Sequence, residues 1–282
     1  MKIIGIDIAI ENLAFCLIDY TNETISLKRE DWFVLDTTPE DYKQTCEYAN
    51  RKKCSKDAGW YYIDKETSLN RYYCAAHKKL VIGDDEAKAK GWKTLNKNYI
   101  NNNDVIRCMF KKLDEKIELW RSADYIIIEK QPPKNPKMIS IMNYIYSYFV
   151  IRLWNDMEDK KLKDIIILDA KNKVTYCLGL LSKEELEEFN KKYSVKKNKY
   201  VYYKKISIEG VRKELTTSGE SDLLEYFNSY KKIDDLADSR NMVLWWIQKE
   251  QKAITKKVDK EAKELAKANK VKPDKKIKTK TL

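Results

Sequence analysis

KIIGIDIAIENLAFCLIDY, residues 2–20, reads as two buried strands joined by a tight connection. KIIGIDIA (2–9) is apolar and β-branched, and NLAFCLIDY (12–20) follows as its antiparallel partner. ISLKREDWFVLD (25–36) supplies a third strand. Past an interruption over 39–80, DYIIIEK (124–130) and DIIILD (164–169) are short runs of consecutive apolar residues, as buried central strands are. Helical patterns surround them. Residues 98–121 carry Val105, Ile106, Met109, Leu113, Ile117 and Trp120 at helical spacing. MISIMNYIYSYFVIRLW (138–154) is apolar on most sides, and DDLADSRNMVLWWIQ (234–248) has Leu236, Met242, Val243, Leu244, Trp245 and Ile247 to pack. QPPKNPK (131–137) can only be loop, and 171–230 is polar and mostly helical. This order predicts an α/β layered domain with a mixed sheet.

A chain of 282 residues that is 43% apolar can bury a real core, which excludes a wholly disordered protein. Seven Gly and five Pro exclude collagen-like and linker-like architectures, and neither GxGxxG nor GxxxxGK[ST] occurs. No apolar run approaches the roughly 18 residues of a membrane span. MKIIGIDIAI enters the strand pattern directly, so no signal peptide and a reducing, unsecreted setting are expected. The net charge of +12 points to a polyanionic partner, most simply nucleic acid. Much of it sits at the end: 249–282 holds thirteen Lys against five acids. That tail is either a solvated terminus or a non-specific clamp on phosphates.

The acids carry the strongest chemical signal. Asp7 lies inside an apolar strand, where a lone carboxylate is costly unless paired, protonated or bound to a cation. Glu129 closes a second such strand, and strand ends are where α/β folds place reactive groups. Asp234, Asp235 and Asp238 open the last core helix, with 235 and 238 on one face. Three separate elements thus supply acid where packing would prefer apolar residues. Magnesium takes oxygen ligands of this kind, and a pair of such ions serves phosphodiester cleavage. Singly, Asp234 and Asp235 also suit helix capping, and Glu129 a partner lysine.

In their order, GID (5–7), IIIEKQPPKNPKM (126–138) and DDLADS (234–239) resemble the poxvirus-type Holliday junction resolvases, RuvC-like members of the ribonuclease H-like group. Asp7, Glu129, Asp235 and Asp238 fall on the four acids of that family's pattern. The family usually follows its first Asp with a small turn residue, whereas this chain has IAIEN (8–12). The resemblance implies a ribonuclease H-like mixed sheet flanked by helices and a Mg²⁺-dependent endonuclease that cuts branched DNA such as four-way junctions. It implies two Mg²⁺ on those four acids, with Mn²⁺ a substitute, and basic residues between the Glu and the final Asp pair. Lys130, Lys171, Lys204, Lys205 and Lys213 occupy that interval and are candidate phosphate contacts or plain solvated lysines. It further implies a homodimer and a large DNA virus replicating in the cytoplasm. On 138–154, Ile139, Tyr144, Tyr148, Val150, Ile151 and Trp154 lie off the sheet-facing stripe and offer a two-fold surface.

Cys46, Cys54, Cys74 and His77 form C-x7-C-x19-C-x2-H, a pattern suited to one structural Zn²⁺ or else to buried unliganded cysteines with a lone surface histidine. Trp60, Tyr61, Tyr62, Tyr72 and Tyr73 interleave with basic residues there, which fits nucleic-acid contact or a purely structural hairpin. Cys16, Cys108 and Cys177 read as core. The expected organisation is a nuclease domain in two parts, 1–38 and 83–248, a zinc insert at 39–82 and a basic tail at 249–282. The rivals are an RNA–DNA hybrid or guided nuclease of the same fold, and a non-catalytic zinc-dependent nucleic-acid-binding protein.

Overall fold

The computed structural model describes residues 1–39, 43–50, 52–82, 91–95, 102–155, 161–193 and 198–268. Its N-terminal meander is β1 (Lys2–Asp7), β2 (Asn12–Thr21) and β3 (Thr24–Asp36). Asn22 and Glu23 turn β2 into β3 with φ of 51° and 62°, the left-handed pair that a two-residue hairpin turn needs. The insert follows with β4 (Ala49–Asn50), β5 (Lys52–Lys53), β6 (Trp60–Ile63), β7 (Asn70–Tyr73), α1 (Ala75–Ile82) and β8 (Lys93–Thr94). Then come α2 (Asn102–Asp114), α3 (Ile117–Arg121), β9 (Tyr125–Lys130), α4 (Pro136–Phe149) and β10 (Asp164–Asp169). Among the described residues five helices follow: α5 (Lys171–Leu180), α6 (Lys183–Lys192), α7 (Lys199–Ser218), α8 (Ser221–Ser229) and α9 (Ile233–Ala268).

The main sheet runs β10-β9-β1-β2-β3, with β1, β9 and β10 parallel and β1, β2 and β3 antiparallel. Alternation sorts each strand between two cores. Ile4, Ile6, Ile126 and Ile128 pack with Met109, Leu113, Ile141 and Ile145 of α2 and α4. Ile3 and Ile127 face the other way, toward Val211, Leu236 and Val243 of α7 and α9. The expected mixed sheet with helices on both faces therefore stands.

Two glycines set the spacing on the α9 side. A Cβ on Gly5 would lie 2.2 Å from the Ser239 carbonyl oxygen and 2.6 Å from Val243 Cγ2, so α9 crosses β1 where only glycine fits. A Cβ on Gly210 would lie 2.8 Å from Cys177 Sγ, which presses α7 onto α5. Buried Arg240 pairs with Glu214 at 2.7 Å, and Trp32 Nε1 donates to the Leu236 carbonyl at 3.0 Å, pinning α9 in place.

The structure departs from the sequence reading in several places. The helix expected over 98–121 is broken at 115–116 into α2 and α3, and 98–101 lies outside the described residues. The loop expected through residue 137 ends earlier, because Asn135 caps α4 and Pro136 opens it. The insert's three-stranded sheet, β7-β6-β8, takes its last strand from beyond residue 82. Tyr148, counted in the two-fold surface, is buried and donates to Asp114 Oδ1 at 2.7 Å. Tyr144 and Ile151 keep that surface exposed, while Trp154 turns in to donate to the Leu162 carbonyl. The last helix continues from 248 to Ala268, carrying exposed Ile254 and Val258, and 269–282 lies outside the described residues. Among the described residues no helix is long and apolar enough to cross a membrane.

Candidate functional site

Period-two geometry brings the first two acids together. Gly5 and Asp7 share the α9 face of β1, and Ile127 and Glu129 share the same face of β9. The parallel register pairs Ile6 with Ile128, so Asp7 and Glu129 emerge side by side at the ends of their strands. The crossing at Gly5 lays the first turns of α9 over them and delivers Asp238. The helix α5, which starts just after β10 and packs against α7 and α9, delivers Lys173.

The three carboxylates converge on that one ammonium. Lys173 Nζ lies 2.8 Å from Glu129 Oε1, 2.5 Å from Asp238 Oδ2 and 3.6 Å from Asp7 Oδ1, with Lys173, Glu129 and Asp7 buried and Asp238 mostly so. Ser207 of α7 donates to Asp238 Oδ1 at 2.5 Å, and Asn241 Nδ2 donates to Ser207 Oγ at 2.9 Å. Gln131 Nε2 donates to Glu129 Oε2 at 3.4 Å. Burial pushes the Asp7 carboxyl well up, adjacent Glu129 and Asp238 add to it, and Lys173 only partly offsets them. Burial also raises Asp238. Burial acts on Glu129 too, but Lys173 and the bond from Asp7 outweigh it and hold Glu129 below its ordinary value. Burial alone would lower Lys173; the three acids raise it well above the usual lysine range. Of the two neighbouring acids, then, Asp7 holds a proton more tightly than Glu129, and the surrounding acids favour the charged form of Lys173.

Asp235 lies one turn before Asp238 and does not touch Lys173. Its side chain is 3.9 Å from Lys232, and burial, followed by Asp234, pushes it up to about 6. Asp234 pairs instead with Lys204, which overcomes burial and lowers it.

None of the five lysines named from sequence reaches the cluster. Lys130 and Lys171 both approach Asp169, at 3.5 and 3.9 Å, and Lys171 points out to solvent. Lys204 and Lys213 are taken by Asp234 and Glu185, and Lys205 is exposed. The residue missed is Lys173. Its signal was helical spacing: 173, 174 and 177 share a face, and Val174 and Cys177 mark that face as buried. A lysine on an apolar helix face needs acids opposite it.

The insert holds a second cluster. The ligand atoms of Cys46, Cys54, Cys74 and His77 all lie within 4.8 Å of one another. His77 Nδ1 is 3.3 Å from Cys46 Sγ and 3.5 Å from Cys74 Sγ. The thiols respond differently. Burial raises Cys46. On Cys74 burial is outweighed by the backbone N–H groups of His77 and Ala76 at the start of α1, and by the neighbouring thiols, so its value falls. Tyr48 stacks on the His77 ring at 4.2 Å and fixes its plane. Three sulfurs and one nitrogen at these separations match a tetrahedral site with Zn–S near ~2.3 Å and Zn–N near ~2.0 Å.

Comparison with known proteins bears on the C-terminal half of the acid site. Residues 167–250 match the family described as Poxvirus A22 protein. That stretch holds Lys173, Asp235 and Asp238, so the resemblance read from DDLADS is found again there, over less than a third of the chain. An uncharacterized protein, L451, of Acanthamoeba polyphaga mimivirus is 25% identical over 234 residues, covering 80% of this chain. The chain spans about half the length of that curated relative, 54%. Similar solved structures include the fowlpox virus resolvase in complex with Holliday junction DNA (18% identity, 88% of this chain and 98% of that one, TM-score 0.40). The yeast mitochondrial Holliday junction resolvase Ydc2 is 16% identical over 86% of this chain and 78% of its own, with a TM-score of 0.44.

Proposed function

We propose that this chain is a metal-dependent, structure-selective endonuclease that resolves four-way DNA junctions. The observation that carries the reading is the convergence of Asp7, Glu129 and Asp238, from three separate elements, on the buried ammonium of Lys173. Burying three acids around one cation costs stability that packing alone would not ask for. The donor set fits a hard dication: all oxygen, mostly carboxylate, at the ends of parallel strands. Asp7, Glu129, Asp235 and Asp238 would hold two Mg²⁺, with Mn²⁺ a substitute, which supply an activated water and stabilise the departing oxygen. The protein's own groups prepare this place. Ser207 and Gln131 fix the directions of Asp238 and Glu129. The charge of Lys173 offsets the repulsion among Asp7, Glu129 and Asp238 and holds them together. Lys173 then stands beside the reacting phosphate as a cation and proton donor. The exposed Lys130, Lys171 and Lys205 and the tail from residue 249 serve the DNA backbone, in line with the net charge of +12.

A homodimer belongs to the same reading, since a four-way junction presents two strands to cut in symmetry. The viral relative and the poxvirus family match support a viral protein acting at a cytoplasmic replication site. Four-way, flap, RNA–DNA hybrid and linear substrates offered side by side, with and without Mg²⁺, test the function. Paired Mg²⁺-dependent nicks in the four-way junction are expected, and sedimentation of the same preparation should show a dimer. Cutting confined to the hybrid moves the activity to the rival nuclease, and binding without any cutting defeats the enzyme reading.

The insert is assigned one structural zinc. Purified protein should carry about one zinc per chain, and Cys74→Ser should lose it. Its loss should speed proteolysis within 46–82, because so short a segment builds little core of its own. Full zinc retention in that variant defeats the ligand assignment.

A further inference from the structure

The two faces of the insert's sheet differ. On one, Trp60, Tyr62, Tyr73 and Trp92 are packed together: Tyr62 lies 4.8 Å from Trp92 and 6.0 Å from Tyr73, and Lys78 of α1 covers Trp60 at 3.1 Å. Arg71 alternates onto the same face and engages both Glu47 and Asp64. The other face carries one rung across all three strands, because Tyr61 pairs with Tyr72 on β7 and with Lys93 on β8. Its two tyrosine rings are half-buried, with centroids 5.9 Å apart and planes within 34°. Asn70 Nδ2 donates to the Tyr72 hydroxyl at 3.3 Å and steadies that ring, and Ile63 lies exposed beside it. No packing partner for this rung is needed by the fold: the zinc cluster and the opposite face already hold the insert together.

Charge says what suits the rung. Over 43–82 and 91–95 the described residues include nine basic and four acidic side chains, and two of those acids are held by Arg71. Lys52, Lys53 and Lys93 are exposed and make no ion pair among the described residues. Aromatic rings in a row with cations at the rim match a single strand of nucleic acid, whose bases offer flat faces and whose backbone offers phosphates. The root of the insert adds direction. Asp36, which ends β3, pairs with Asn12, and Thr37 donates to the Ile10 carbonyl, so the insert springs from the sheet end where Asp7 lies.

We propose that the Tyr61 face of the insert is a platform for single-stranded DNA, with Tyr61 and Tyr72 stacking on bases and Lys93 meeting a phosphate. It deepens the branched-DNA reading on which it rests: unpaired nucleotides at a branch are held beside the strand being cut. The test uses the full-length protein and a labelled oligo-dT, without added Mg²⁺, so cutting plays no part. Tyr61→Ala with Tyr72→Ala should weaken binding about 100-fold, roughly tenfold for each ring, while zinc content and affinity for blunt duplex stay unchanged. Tyr61→Phe with Tyr72→Phe should bind as the native protein does, since the ring and not the hydroxyl is used. Unchanged oligo-dT affinity in a zinc-replete alanine variant overturns the platform, and so does a preference for oligo-rU over oligo-dT. Should the alanine pair fail to hold zinc, Tyr61→Leu, which keeps bulk without the π-face, decides the matter: a tenfold loss supports the platform and no loss refutes it. Oligo-dT binding that ignores both tyrosines leaves the nuclease reading untouched, and absence of cutting leaves this measurement untouched.

Discussion

Glu129→Gln should end junction cutting while the protein stays folded. The substitution keeps size and leaves an amide oxygen to accept from Lys173, now 2.8 Å from Oε1. What disappears is one buried negative charge that a dication needs. Loss of a single preorganised electrostatic group costs about 10²–10³ in rate, and loss of a charged metal ligand should reach at least the upper end. The amide must also face Gln131, so about 1 kcal/mol of stability goes with it. Single-turnover cutting and thermal unfolding read the two effects. A rate within tenfold of native removes Glu129 from the machinery. Lys173→Met should lose rate and, unlike Glu129→Gln, much stability as well. It strands three buried acids without their cation, which costs about 3–5 kcal/mol before any chemistry is considered.

Gly5→Ala should be the most damaging single methyl in the chain. Its Cβ would meet the Ser239 carbonyl oxygen at 2.2 Å, and backbone cannot rotate aside as a side chain can. The helix α9 must lift from β1, costing about 3 kcal/mol, the upper end for overpacking. For a domain of this size that lowers the melting temperature by about 6–12 °C. Cutting should fall as well, below the new transition, because lifting α9 separates Asp238 from Asp7. An unchanged melting temperature would falsify the close crossing.

Much of this was legible in the chain, for physical reasons that differ by element. Apolar runs such as IIGI and YIII admit few readings, and an acid at the end of each is conspicuous because burial penalises it. The Cys/His quartet is legible because its chemistry is scarce. Lys173 was hidden among many lysines, and Lys171, two residues away, drew the assignment although it is 173 that lies one turn before buried Cys177. Strand β8 has two residues and no apolar signal, so only its pairing with β6 reveals it. Tyr148 misled for a different reason: a hydroxyl at the end of an aromatic ring can be buried when an acid such as Asp114 waits for it.

The crossing at Gly5 also makes α9 a mechanical lever. Its fulcrum is the packed stretch around Ser239 and Val243, and Asp235 and Asp238 sit on the short arm, within about one turn of that pivot. The long arm, from Lys252 to Ala268, reaches roughly 25 Å past the bond from Gln251 to the Tyr20 hydroxyl. Leverage of that ratio divides motion: a swing of several ångström at the free end reaches the acids as a fraction of one. The basic arm can therefore trail over an irregular, moving polyanion while the carboxylates keep their spacing.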